Sequence, residues 1–190
     1  MQTEKRPDSR LLSAIPFLSK GGVVADVGTD HAYLPIELCR RELCRRAVAC
    51  DINEGPIEVA RKHIAEAGLA DRIDTLRTDG LHGVERFAPT DVLIFGMGGE
   101  LIARILSEAP WIRSAGVNLI LQPMSRGEVL CRWLEENGFG ILHEALTREG
   151  PQFYRTIHAR FGAPHRAYSE AERLVEPLAG AVGHLLGESS

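Results

Sequence analysis

Apolar runs alternate with stretches of helical periodicity along most of this chain. The runs at residues 23–27, 47–51, 73–77, 91–95 and 117–121 are rich in Val, Ile, Leu and Ala, which is typical of buried strands. Between these runs, apolar residues recur every three or four positions, as they do on one face of a helix. The alternation predicts five parallel strands connected by helices that pack on the sheet.

The pattern changes at the two ends of this unit. Before the first strand, Ser9 is placed to cap a single helix whose apolar side runs from Leu11 to Leu18. After the fifth strand, residues 141–147 and 153–161 predict two antiparallel strands joined by a short loop. The fold class is therefore α/β, with a mostly parallel seven-stranded sheet, helices on both faces and an antiparallel last strand.

The turn after the first predicted strand carries Asp26, Gly28 and Asp30. Gly28 has no Cβ, so a ligand can approach the backbone there, and Asp26 ends the strand beside the same crevice. The three glycines of a dinucleotide-binding turn are missing, and two carboxylates disfavour a pyrophosphate such as that of NAD or FAD. The turn favours a ligand with an ammonium or sulfonium group. The alternative is that Asp30 caps the helix and Asp26 caps the turn.

Polar or glycine residues also follow the second, third and fourth predicted strands. Asp51 comes 23 residues after Gly28, a spacing at which an acid commonly binds the two hydroxyls of a ribose. Asp79 is placed either to accept a hydrogen bond from an exocyclic amine such as that of adenine or to start a turn with Gly80. The glycines at 96–99 expose the backbone where a cofactor and a substrate would meet, unless they only form a tight turn.

Composition sets limits on the class of protein. The chain has 190 residues, 44% hydrophobic and 25% charged, which suits one globular domain. No apolar run approaches the roughly 20 residues that span a bilayer, and the polar amino terminus lacks a signal sequence, so we expect a cytoplasmic protein. The four cysteines lack metal-ligand spacing, and no metal site or disulfide framework is predicted.

The net charge of -4 does not indicate a nucleic-acid-binding protein by itself. Arg40, Arg41, Arg45 and Arg46 form a local basic cluster, for which the alternative is the solvated end of a helix.

Four motifs resemble those of one enzyme family. They are DVGTDHAYLP at residues 26–35, CDINEGP at 50–56, GMGG at 96–99 and LQP at 121–123. In this order and spacing the chain resembles the bacterial tRNA (adenine-22-N1)-methyltransferases, from about residue 10 to about residue 161. The resemblance implies a Rossmann-like class I methyltransferase fold. It also implies S-adenosylmethionine as the methyl donor and tRNA, through an adenine of its D arm, as the acceptor.

The resemblance assigns parts of the donor to particular residues. The methionine part would lie near the first motif, the ribose on Asp51, the adenine near Asn53 and Asp79, and the departing methyl group beside residues 96–99. The expected donor-binding residues are Asp26, Gly28, Thr29, Asp30, His31, Asp51, Ile52, Asn53, Asp79, Gly80, Gly96, Met97 and Gly98.

The chemistry asks mainly for positioning, because ring nitrogen 1 of adenine carries an in-plane lone pair that can attack a sulfonium methyl group directly. The base must first leave its paired helix, at a cost of a few kcal/mol. A carboxylate or carbonyl near the exocyclic amine would stabilise the positive charge that develops on the ring. We expect Asp30 in this role, with Gly96 and Gln122 as backbone or amide partners, whereas His31 is placed to position the donor.

We expect residues 1–162 to form the methyltransferase domain, including the N-terminal helix, and residues 163–190 to form a short helical tail. Members of the family commonly continue into a long charged helical hairpin instead. The basic residues available to contact tRNA phosphates are Lys5, Arg6, Arg10, Arg104, Arg126, Arg155 and Arg160.

Two alternatives to this function stay open. One is a methyltransferase of the same fold that acts on a substrate other than tRNA. The other is a protein that binds the donor without turnover and acts by binding RNA or a partner protein. The sequence does not determine the oligomeric state, although a monomer is favoured.

Overall fold

A seven-stranded sheet forms the centre of the computed structural model, which describes residues 9–29, 31–114 and 116–164. The strands are β1 (Gly22–Val27), β2 (Cys44–Asp51), β3 (Ile73–Arg77), β4 (Asp91–Met97), β5 (Asn118–Pro123), β6 (Phe139–Glu149) and β7 (Gln152–Phe161). The helices are α1 (Ser9–Leu12), α2 (Tyr33–Arg40), α3 (Glu54–Glu66), α4 (Gly99–Ser107) and α5 (Gly127–Glu136). Short 3-10 helices cover Ile15–Phe17, Val84–Phe87 and Pro110–Arg113.

The strand order is β3-β2-β1-β4-β5-β7-β6. Strands β1 to β5 pair in parallel, and β7 lies antiparallel between β5 and β6. The predicted sheet is therefore confirmed. From β1 the chain moves outward to β2 and β3, and it then returns to β4 on the other side of β1. This reversal of strand order opens a crevice at the carboxyl ends of β1 and β4.

Apolar side chains are buried on both faces of the sheet. On one face, Ile94 of β4 belongs to a core cluster with Ile102 of α4 and Leu130 of α5, all without measurable exposure. On the other face, Leu93 clusters with Leu38 of α2, also fully buried. Because the parallel strands are covered on both sides, their sequences read as continuous apolar runs rather than as an alternation.

The predicted single helix before the first strand is wrong. Helix α1 ends at Leu12, and a separate 3-10 turn follows at Ile15–Phe17. Pro16 lies in the first positions of that turn, where its missing N–H costs nothing, but it cannot continue an α-helix from the preceding turn. Ser9 does not cap the helix: its Oγ donates to Oε2 of Glu149 at 3.4 Å, so the helix start is fixed by β6.

Strand β2 begins three residues earlier than the apolar run that predicts it. Arg45 and Arg46 lie in this strand, so the alternative that places the basic cluster at the solvated end of a helix is wrong for these two residues. The guanidinium of Arg46 donates to Oδ2 of Asp74 on β3 at 2.8 Å. Backbone pairing with β1, of Cys44 with Gly22 and of Arg46 with Val23, extends the strand, and a search for apolar residues does not detect it.

A buried polar network lies at the amino ends of β4 and β5. Asp91 has no measurable exposure, and its Oδ1 accepts hydrogen bonds from the Ser19 backbone N–H at 3.0 Å and from Nδ2 of Asn118 at 2.8 Å. Nε2 of His158 lies 3.0 Å from Oδ1 of Asn118. Burial, with the nearby His143 and Arg160, lowers the pKa of His158 to about 4, so this ring is neutral at physiological pH.

The predicted tail at 163–190 lies, from residue 165 onward, outside the described residues. Within the described ranges, none of the helices has the length and apolar character needed to cross a bilayer.

Candidate active site

A cavity of about 310 Å³ opens at the crevice between the carboxyl ends of β1 and β4. Five predicted donor-binding residues line it, namely Asp26, Gly28, Asp51, Gly96 and Met97. Four residues for which the sequence predicted no donor contact complete the lining, namely Arg10, Leu11, Leu34 and Phe95. The cavity volume lies at the lower end of the range for small-molecule sites, and its position is where ligands of open α/β sheets bind.

The turn after β1 is shaped to admit a ligand close to the backbone. The backbone N–H groups of Gly28 and Thr29 donate to the Cys50 carbonyl at 2.9 and 2.8 Å, which fixes the turn against β2. Gly28 has a φ of +76°, and a Cβ added there would lie 2.4 Å from Cε of Met97. Asp26, 7% exposed, lies on the same cavity wall. The positive φ therefore favours glycine at position 28, and a larger residue would also have to displace the flexible end of the Met97 side chain.

The side-chain hydroxyl of Thr29 is buried at this turn. Its side chain is 2% exposed, and Oγ1 has no hydrogen-bond partner among the described residues. Since a buried hydroxyl without a partner is costly, a ligand at this turn would restore a favourable contact. Asp30, the next predicted residue, lies outside the described residues.

The carboxylate at the end of β2 is fixed by the loop that follows it. Oδ1 of Asp51 accepts the backbone N–H of Asn53 at 2.8 Å, and Asp51 also lines the cavity. Asn53 precedes α3, and its side chain makes no capping hydrogen bond. Ile52 leaves 53% of its surface exposed at the same edge. The loop thus presents three groups together. They are the carboxylate of Asp51, whose position is fixed, the side-chain amide of Asn53, which does not cap α3, and the apolar side chain of Ile52.

The glycines at the end of β4 and directly after it serve two different purposes. Gly96 has a φ of +78° and faces the cavity, and the nearest atom to a Cβ added there would be Nη1 of Arg10 at 3.8 Å. Gly99 donates its N–H to the Ser125 carbonyl at 2.7 Å, and a Cβ there would lie 2.2 Å from the carbonyl oxygen of Arg126. Gly98 precedes α4. Close packing against the loop after β5 therefore explains Gly99, whereas Gly96 contributes to the cavity.

Gln122 does not line the cavity and is fully buried beside it. Its Nε2 donates to Oγ1 of Thr156 at 2.8 Å, and its Oε1 accepts from Nη1 of Arg10 at 3.4 Å. The Arg10 guanidinium also lies 5.4 Å from the ring centre of Tyr154. Through these contacts, Gln122 positions a cation at the cavity wall.

The sequence carried no local signal for Arg10 in the donor site. Oε2 of Glu149 accepts the Arg10 backbone N–H at 3.1 Å, so contact with a strand far along the chain places α1 over the cavity. Leu34 enters the lining from α2, and Phe95 enters it from β4, where the apolar run predicted a buried strand.

The structure does not place Asp79 and Gly80 among the cavity residues. The exposed Asp79 accepts from Nη2 of Arg104 at 3.3 Å, and Asp79 together with Glu108 raises the pKa of that guanidinium. Gly80 has a φ of +60°, and a Cβ there would meet Ile105 of α4 at 3.0 Å. The Asp79 side chain and the Cβ position of Gly80 therefore both face α4.

His31 lies in the loop before α2 with a φ of +60°. Its ring packs 5.7 Å from Tyr33 and 5.8 Å from His63, and Nδ1 of His63 lies 3.0 Å from the His31 carbonyl. These contacts link the glycine turn to α3.

Comparisons with known proteins bear on this site. The sequence matches the family described as Methyltransferase domain over residues 8–157. It is 30% identical over 165 residues to the tRNA (adenine(22)-N(1))-methyltransferase of Bacillus subtilis strain 168, an alignment that covers 87% of this chain and 69% of the relative.

Two crystal structures are similar in fold. The B. subtilis m1A22 tRNA methyltransferase TrmK has a TM-score of 0.79 and 30% identity, covering 84% of this chain and 68% of that one. Sp1610 of Streptococcus pneumoniae, crystallised with S-adenosyl-L-methionine, has a TM-score of 0.79 and 36% identity, covering 94% of this chain and 83% of that one. The similarity in both structures therefore extends over most of the described chain.

Proposed function

Because this chain belongs to the tRNA (adenine(22)-N(1))-methyltransferase family, we propose that it transfers the methyl group of S-adenosylmethionine to ring nitrogen 1 of adenine 22 in tRNA. The observation that carries the proposal is the cavity at the strand-order reversal. It brings together Gly28, Asp51 and Gly96, which the sequence separates by up to 68 residues, counting from 28 to 96. These are the positions at which a nucleoside donor needs close backbone approach and a hydroxyl acceptor.

The charges of the cavity suit the amino acid end of the donor. Arg10 and Asp26 line the same cavity with opposite formal charges. A methionine moiety carries both a carboxylate and an ammonium group, so Arg10 is matched to the first and Asp26 to the second. The Thr29 hydroxyl, which lacks a partner among the described residues, adds a further polar contact at this turn.

The remaining donor contacts follow from the loops at the same edge. Asp51 accepts hydrogen bonds from the ribose hydroxyls, and Ile52 packs against the adenine ring. We assign the outer end of this pocket to Asn53, with Asp79 and Gly80 in the loop beyond it. Met97 and Gly98 complete the wall after β4, and His31 supports the glycine turn.

When bound, S-adenosylmethionine supplies an electrophilic methyl group on sulfur. The protein has to hold the target adenine in line with that group and exclude water. Gly96 gives the base room and a backbone carbonyl, while Gln122 acts as a positioning residue through Arg10. Asp30 remains our candidate for stabilising the positive charge on the ring. We infer that the enzyme acts as a monomer in the cytoplasm, where its tRNA substrate is found.

The test is methyl transfer from labelled S-adenosylmethionine to unmodified bacterial tRNA, followed by digestion to nucleosides. The expected product is labelled 1-methyladenosine, and its formation should cease when adenine 22 is replaced by guanine in a transcribed tRNA. Label in a protein or small-molecule acceptor, with tRNA inert, would support a different substrate. Donor binding without any transfer would support a non-catalytic binding protein.

A further inference from the structure

Large apolar side chains with more than a third of their surface exposed are concentrated at one edge of the sheet. Among the described residues they are Ile52, Leu101, Met124, Leu146, Phe153 and Phe161. Ile52 follows β2, Leu101 lies in the first turn of α4 after β4, and Met124 follows β5. Leu146 and Phe153 belong to the β6–β7 hairpin. Except for Phe161, this exposed apolar surface surrounds the edge at which the cavity opens.

The β6–β7 hairpin extends beyond that edge. Leu121, near the end of β5, pairs with Ile157 of β7, and β7 continues from there back to Gln152. Strand β5 itself ends at Pro123, two residues after Leu121. The hairpin therefore extends about three residues, or roughly 10 Å, past the carboxyl end of the sheet, on the side where the cavity lies.

The two faces of this extension differ. One face is covered by α1 and the residue after it: Oγ of Ser13 lies 2.7 Å from Oγ1 of Thr156, and Arg10 lies over the ring of Tyr154. On the opposite face, Arg148 pairs with Phe153 across the two strands. The guanidinium of Arg148 lies 5.8 Å from the centre of the Phe153 ring.

This opposite face is open to solvent. Phe153 is 54% exposed, and Leu146, on the same side of β6, is 61% exposed. Farther along the hairpin, Ile157 on this side is fully buried in the cluster that contains Leu130 of α5. Between that core and the hairpin tip, this face also carries the ion pair of Arg155 with Glu144. Toward the tip, Leu146, Arg148 and Phe153 form an aromatic and cationic surface that extends past the edge of the sheet at which the cavity opens.

We propose that this surface, formed by Leu146, Arg148 and Phe153, binds an unstacked nucleotide of tRNA beside the target adenine. The inference rests on the proposed function. An exposed ring offers a stacking surface for a base of any sequence, and an adjacent arginine offers a positive charge to its phosphate. Removing the target adenine from its stack also frees the faces of its neighbours, which gives the ring a base to bind.

The charge of Arg148 favours a nucleotide over a second copy of this chain, since an apolar contact between copies would have to desolvate that charge. Phe153 is then an affinity residue for the RNA and takes no part in donor binding. This division of roles predicts that substitution of Phe153 changes the KM for tRNA and leaves the affinity for S-adenosylmethionine unchanged.

The experiment compares Phe153→Leu, Phe153→Trp and Arg148→Ala in the full chain, with Phe161→Leu as a control at the other end of β7. Loss of one base-stacking contact should raise the KM for tRNA about tenfold in Phe153→Leu. Phe153→Trp should stay near the wild-type value because it keeps an aromatic face. Arg148→Ala should raise the KM and reduce the salt dependence of tRNA binding by about one phosphate contact. The affinity for S-adenosylmethionine and the melting temperature should not change.

Direct tRNA binding, measured by fluorescence anisotropy on the same variants, tests the nucleotide-binding role of the hairpin surface separately from the proposed methyltransferase function. Methylation of tRNA with an unchanged KM in Phe153→Leu would overturn this inference and leave the proposed function standing. Binding of tRNA that depends on Phe153, without methylation, would contradict only the proposed function. A wild-type dimer that Phe153→Leu dissociates, with tRNA binding unaltered, would show that a second copy covers the surface and would also overturn the inference.

Discussion

Arg10 and Gln122 exchange two hydrogen bonds although 112 positions separate them in sequence. Nη1 of Arg10 donates to Oε1 of Gln122 at 3.4 Å, and Nε2 of Gln122 donates to the backbone carbonyl of Arg10 at 3.3 Å. The same Nε2 donates to Oγ1 of Thr156 at 2.8 Å. One buried amide thus connects α1, β5 and β7 directly beside the cavity, and its loss should affect both folding and the position of the cation.

We expect Gln122→Ala to lower the free energy of unfolding by roughly 1 to 3 kcal/mol, because it leaves buried polar groups without partners. Urea unfolding measures this loss, and methyl transfer to tRNA should fall with it as Arg10 loses its support. Gln122→Met keeps most of the side-chain volume. Comparison of the two variants therefore separates the effect of the lost hydrogen bonds from the effect of the void that truncation to alanine leaves. A wild-type urea midpoint in Gln122→Ala would contradict the expected loss of stability, and undiminished methyl transfer would contradict the positioning role.

Asp51→Ala should weaken binding of S-adenosylmethionine by about 1 to 3 kcal/mol through the lost hydrogen bonds to the ribose. Isothermal titration calorimetry measures this change. The matched control is Asp74→Ala, which removes a carboxylate of the neighbouring strand that pairs with Arg46 at 2.8 Å and does not line the donor cavity. Equal affinities in wild type and Asp51→Ala would remove Asp51 from the donor site.

Gly28→Ala should reduce donor affinity and stability together. The positive φ costs an L residue about 1 to 2 kcal/mol, and the new methyl group would also displace the Met97 side chain. Gly55→Ala is the control, because a Cβ at Gly55 in α3 meets no atom within 4 Å. That variant should be neutral or slightly more stable. Thermal unfolding with and without the donor distinguishes the two positions, and equal behaviour would argue against the glycine requirement.

His158 should make the fold less stable in acid. Its pKa is about 4 in the folded protein and about 6.5 in the unfolded chain, so the unfolded chain binds the extra proton between these values. The stabilisation is complete above about pH 6.5 and is lost as the pH falls toward 4, by on the order of 3 kcal/mol. Urea unfolding of His158→Gln at pH 4.5 and pH 7 should show a smaller pH dependence than wild type.

His82→Gln is the control for that measurement, because His82 is exposed. It should keep the pH dependence of the wild-type protein. If His158→Gln retained the full dependence as well, other groups would be responsible for the loss of stability in acid.

The parts of the site that follow directly from a strand could be predicted from the sequence. Asp26, Asp51 and Gly96 each occur at or near the end of an apolar run, and parallel pairing brings such ends to one edge of the sheet. Local pattern and sheet geometry together were sufficient here, because the strand fixes both the position and the direction of the residue at its end.

Residues placed by distant contacts could not be predicted in this way. Arg10 reaches the cavity because Glu149 and Gln122 hold α1, and nothing near Arg10 in the sequence encodes that contact. Asp79 follows β3 as predicted, but its side chain contacts Arg104 of α4 and does not line the cavity. Its position shortly after a strand therefore does not determine the direction of its side chain.

The attachment of α1 to the hairpin has a consequence for synthesis on the ribosome. Ser9 and Arg10 emerge early but are held by Glu149, which is translated 140 and 139 residues later. Domains are made from the amino terminus at about 5 to 20 residues per second, so α1 waits on the order of ten seconds for its partner. A nascent chain that has already formed β1 to β5 therefore still lacks one wall of its cavity. Competence to bind the donor should arise abruptly, as the last hairpin leaves the exit tunnel.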